Sequence, residues 1–177
     1  MKKLAIIVLL TIVPYVSNAQ GYFDKYEDMS DVTSMVMTSK MFKLLSKIDF
    51  ESSDKETQQY LNLVENINNI KVFVTENKDI SNKMRSDVSQ YLKSASLDEL
   101  MRVKSDDGQN IKFYFKPGKS DDYVKELFMY LEGNDSKEGP ETVILTITGN
   151  IDLKQVSKLA DDLNIPGGKE LKKVKTQ

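Results

Sequence analysis

The chain has 177 residues, 40% hydrophobic and 29% charged, with a formal net charge of −2 and neither cysteine nor histidine. That composition excludes a Ser-His-Asp triad, a cysteine nucleophile, disulfides and the usual His/Cys zinc site. The weakly acidic balance gives no electrostatic reason to bind nucleic acid, and the chemistry left belongs to carboxylates, Lys, Tyr, Ser and Thr.

At the N-terminus Lys2 and Lys3 precede an apolar run from Leu4 to Val13, and Ser17-Asn18-Ala19 supplies a small-x-small exit. This is the pattern of a secretory signal peptide, with the cut expected after Ala19. The run is too short to span a bilayer, which takes roughly 20 apolar residues. Removing 19 of the 177 residues leaves 158 and takes the formal charge from −2 to −4, because the leader carries two lysines and no acid. A domain of about 150 residues buries enough surface to fold without disulfides. The expected organisation is a leader at 1–19, one domain at 20–165 and a lysine-rich flexible tail at 166–177.

Residues 20–31 read as an irregular lead-in or short helix carrying Tyr22, Phe23 and Tyr26. Val32 to Thr38 alternates with period two, as a strand does. Thr38 or Ser39 then caps a helix whose stripe is Met41, Leu44, Leu45 and Ile48. Ser53-Asp54-Lys55-Glu56 is a capping box opening a second helix, with Tyr60, Leu63, Val64 and Ile67 as its stripe. Ile70, Val72 and Val74 predict the next strand, and a third helix from about Asp79 runs through Met84, Val88 and Tyr91 to Ala95. Leu100 to Lys104 is a strand, and Asp106-Asp107-Gly108 a hairpin turn. Ile111, Phe113 and Phe115 alternate cleanly, and Pro117-Gly118 turns the chain. Val124 to Glu132 fits either period, and the density of aromatics favours a strand. Thr142 to Thr148 is β-branched nearly throughout. Gly149-Asn150 reads as a turn, after which Asp152 caps a last helix with Leu153, Val156, Leu159, Ala160 and Leu163.

The order β-α-α-β-α-β-β-β-β-α predicts an α+β domain: a single mixed sheet of about six strands, an antiparallel meander in its C-terminal half, and helices packed mainly on one face. Four stretches in this order, VTSMVMTSKMFKLL, IKVFVTE, DELMRVKSDDGQNIKFYF and VILTITGNIDLKQVSKLADDL, resemble the secreted Bacteroidota proteins grouped as domain of unknown function 4252. The resemblance covers about Tyr22 to Leu163. It implies a small exported domain of a Gram-negative bacterium, with no established activity, no functional residue to carry over, and a genomic association with extracytoplasmic-function sigma-factor systems.

Several clusters invite a chemical reading. Met35, Met37 and Met41 present soft thioethers of the kind that hold copper(I). Methionine is also a filler of core gaps, and the strand and helix periods split the three between two elements, so core packing is the expectation. The pairs Asp106-Asp107, Asp121-Asp122 and Asp161-Asp162 lack calcium-loop spacing; the first falls in a hairpin turn, the second near a strand start and the third in the last turns of a helix, where it opposes the dipole, so solvated positions are the expectation. In TITGNIDLK a helix start follows a glycine, but Asp152 at the cap repels an anion. Tyr22, Phe23 and Tyr26 either form an exposed aromatic patch or dock on the domain, and both remain open. Lys169, Lys172, Lys173 and Lys175 form a basic tail consistent with solubility. No catalytic, cofactor-binding or metal-binding residue is assigned, and no cofactor. The expected function is a non-enzymatic binding or regulatory module, exported to the periplasm or exterior and working through a protein partner in the cell envelope. The alternative is a small carboxylate-dependent, glycan-active hydrolase.

Overall fold

The computed structural model describes residues 21–45, 64–104, 108–120, 122–133 and 142–152. Six strands form one sheet: β1 (Thr33–Thr38), β2 (Ile67–Thr75), β3 (Asp98–Lys104), β4 (Asn110–Pro117), β5 (Tyr123–Glu132) and β6 (Thr142–Asp152). Among the described residues the helices with defined bounds are α1 (Ser39–Leu45) and α2 (Lys78–Ser94), with a short 3-10 turn at Asp24–Tyr26. The strand order is β1-β2-β6-β5-β4-β3.

All five ladders are antiparallel, where a mixed sheet was expected. The reason lies in the placement of the crossover. β2 and β3 do run in the same direction, as a strand-helix-strand unit requires, but α2 carries the chain to the far edge of the sheet. The meander β3-β4-β5-β6 then walks back until β6 fits beside β2. β6 is accordingly central, and residues 142–148 are buried on both faces. A β-branched run suits that position.

α2 begins where the Asn77 side chain accepts from Asp79 N (3.0 Å) and Ile80 N (3.2 Å), satisfying two amides that a helix start leaves unpaired. Ser81, Met84, Val88 and Tyr91 are its buried stripe. They meet Phe73, Phe128, Tyr130 and Ile144, which share one sheet face. The opposite face carries Ile70, Leu127, Met129, Leu131, Val143, Leu145 and Ile147, together with Phe42 from α1. The two described helices therefore sit on opposite faces rather than mainly on one. The expected second helix lies mostly outside the described residues, and the expected last helix entirely so.

The N-terminal segment docks on the α2 face, which resolves the open question about its aromatics. Phe23 and Tyr26 are buried. Phe23 stacks on Phe128 (centroids 5.6 Å, 24°) and meets Tyr91 edge-on at 5.0 Å. Lys71, on the same sheet face as Phe73, reaches back to Asp24 (2.5 Å) and Glu27 (2.7 Å). Burial lowers the affinity of that ammonium for its proton, but the two carboxylates more than offset this and hold its pKa above the ordinary value.

Gly149 is not a turn. β6 continues through it to Asp152, and the ladder to β2 is irregular between Ile67 and Asn69, beside Gly149. The chain passes so close to Asn66 that Asn150 N donates to the Asn66 carbonyl at 2.9 Å.

Candidate partner-binding surface

A sheet with two open edges must protect both or use one. The β3 edge is protected. Its sequence DELMRVK holds four charged residues, its ladder is broken by a bulge between Glu99 and Met101, and Arg102 lies 2.8 Å from Glu99 along the strand. Among the described residues, the β1 edge has none of these devices. TSMVMT has no charge and no proline, and its six pairs with β2 run without a register break.

Met35 and Met37 lie on one side of β1, paired with Val72 and Ile70, while Val36 lies on the other. Met35 is 47% exposed and Val36 40%. α1 follows β1 directly and is anchored by Phe42, which is 4% exposed, leaving Met41 at 42% and Leu44 at 65%. The expected burial of Met35 and Met41 is thus corrected, and Met37 alone of the three packs against the core, in part. The predicted stripe began one position too early. On a helix successive residues are 100° apart, so seating the bulkier Phe42 swings Met41 to the side and Leu44 to the solvent face. Large apolar residues exposed together on and beside one edge strand mark a candidate contact surface. Beside it, at the start of β1, is an open depression of about 630 Å³ lined by Asp31, Val32, Thr33, Val74, Thr75, Glu76 and Asn77.

Among the described residues, the acid with a perturbed carboxyl is elsewhere. Glu126 is 4% exposed, on the α2 face of β5. Tyr91 donates its hydroxyl to Glu126 Oε1, and Thr148 on β6 and Lys116 on β4 stand opposite it in register. Burial pushes the Glu126 carboxyl above its ordinary value of 4.5, against the hydrogen bond from Tyr91 and the charge of Lys116. The Tyr91 hydroxyl is likewise held well above the ordinary range, by burial first and by Glu126 second. Tyr91 of α2 covers Glu126, and neither residue lines the described depression.

Its consequence is a pH dependence. The folded state keeps the Glu126 proton at pH values where the unfolded state has released it, so this contribution to stability is complete below about pH 4.5 and is lost as pH rises through the folded pKa. Glu126→Gln mimics the protonated acid. The wild-type melting temperature minus that of the variant is expected to fall from acid to neutral pH. A flat difference would show that Glu126 titrates normally.

Of the other acidic and basic candidates, only Asp122 falls among the described residues. Asp122 is exposed beside β5, while Asp106, Asp107, Asp121, Asp161, Asp162 and the lysines of the tail lie outside the described residues. Among the described residues no group of three or more His, Cys, Asp or Glu could hold a metal, and no described helix is long and apolar enough to cross a membrane. The sequence reading missed Tyr91–Glu126. Its trace was there: Glu126 shares its parity with Phe128 and Tyr130, so an acid falls in line with core aromatics.

A family model described as a domain of unknown function (DUF4252) matches residues 26–159. No curated protein and no solved structure matches the chain.

Proposed function

The chain belongs to the family of the domain of unknown function DUF4252, and from that premise we propose that it is an exported, non-enzymatic binding or regulatory module of the bacterial cell envelope. The β1–α1 surface is where it meets a protein partner. The reading rests above all on one observation: Met35 and Val36 on the uncharged edge strand, and Met41 and Leu44 on the adjoining α1, stand 40–65% exposed. Unprotected edges recognise extended segments by strand addition, with backbone hydrogen bonds giving affinity and side chains giving selectivity. Export rests on the leader-like residues 1–19, with periplasm or exterior as the compartment.

The test is affinity capture of the tagged full chain from its native envelope under mild extraction, followed by mass spectrometry. Wild type is expected to enrich a partner and to begin at Gln20. Leu44→Glu places a charge at the most exposed apolar position of the patch and is expected to lose the partner while folding normally. Equal enrichment by both proteins would remove the surface from the function.

A further inference from the structure

We propose that the occupant of the β1 edge is β1 of a second copy of this chain, paired antiparallel across a two-fold axis to join the two sheets. The proposal rests on the reading of β1–α1 as the binding surface and names its partner. A two-fold axis perpendicular to the sheet pairs residues of equal parity, so that side chains of each face stay together. Centring the axis on Val36 sets Val36 against itself, Met35 against Met37 of the second copy, and Ser34 against Thr38. No charge occurs among these residues, so no like charges meet. The flexible thioethers pack against each other without demanding exact shape.

The flanks specify the direction. Asp28 and Asp31 precede β1, and Lys40 and Lys43 follow it on α1, all four exposed. Antiparallel pairing brings the acidic end of one copy alongside the basic end of the other, at both ends of the ladder. A parallel arrangement sets acid beside acid and lysine beside lysine. A six-residue ladder is small against the roughly 1,600 Å² of a standard interface, so Met41 and Leu44 are expected to extend the contact.

The experiment uses the purified chain from Gln20 to Gln177, followed by light scattering and sedimentation over a wide concentration range. Wild type is expected to dimerise. Val36→Lys puts two ammonium groups on the axis and is expected to raise the dissociation constant by roughly a hundredfold or more. Circular dichroism at concentrations where both proteins are monomeric should be unchanged, because Val36 is on the edge strand and 40% exposed. The chain contains no cysteine, which allows a register test. Residues directly opposite have Cα atoms about 4.5–5.5 Å apart, within disulfide reach. Val36→Cys should therefore form an inter-chain disulfide under mild oxidation, and Ser34→Cys should not. A wild type that stays monomeric throughout, or a dimer in which Val36→Cys stays reduced, overturns the proposal. If the monomer still captures an unlike protein through Leu44, the second copy is ruled out and the binding function stands.

Discussion

Replacing Phe128 with alanine is expected to cost about 3–5 kcal/mol, a large fraction of the roughly 5–15 kcal/mol that holds a domain together. The ring is 1% exposed. It joins three parts of the chain that are far apart in sequence: Phe23 of the N-terminal segment at 5.6 Å, Tyr91 of α2 at 5.3 Å and Tyr114 of β4 at 6.2 Å. Removing it leaves a cavity between a sheet face and two elements, and the neighbours are themselves rigid aromatics that collapse poorly into the space. Chemical denaturation should show a lower midpoint with an unchanged slope, and the melting temperature should fall by roughly 6–20 °C. A loss below about 1 kcal/mol would mean that the N-terminal segment and α2 do not pack on β5 as described.

The second large effect is expected at Gly149. A Cβ there would lie 2.2 Å from the Asn66 carbonyl oxygen and 2.9 Å from Ile67 Cα, both backbone atoms that cannot swing aside, at a φ of +157°. Gly149→Ala should destabilise by about 2–4 kcal/mol, combining overpacking with backbone strain. The sign is diagnostic. Where alanine fits, the same change stabilises by about 0.4–1 kcal/mol by narrowing the unfolded ensemble. A stabilised variant would place Gly149 in open space and remove the close passage of β6 past Asn66.

These two residues show what was legible in the sequence and what was not. The period-two run at residues 111–115, the β-branched run at 142–148 and the α2 stripe were readable because each face meets a uniform environment along its length. The ambiguous run at Val124 to Glu132 is a strand. Its pattern was blurred by a bulge between Val124 and Glu126, which resets which residues face α2, and by burial of both its faces. Gly149 looked like a turn because glycine serves both chain reversal and close approach, and only the neighbouring strand distinguishes them.

The methionine cluster was misread for a related reason. Helical phase alone allowed either Met41 or Phe42 to be the anchor, and the decision belongs to the tertiary fit of a seven-residue helix. Which strand is the bare edge was not readable at all, because strand order is set by pairings remote in sequence. What the sequence did contain is the contrast itself: an uncharged TSMVMT against a charged DELMRVK.

That contrast carries the central claim, and the most direct measurement adds a photo-reactive amino acid to the envelope capture. It is placed in turn at Val36 on β1 and at Arg102 on β3, and the cells are irradiated before extraction. The account predicts a covalent adduct from position 36, whether to a second copy or to another envelope protein, and little or none from position 102. Adducts from position 102 alone, or equally from both, would contradict it.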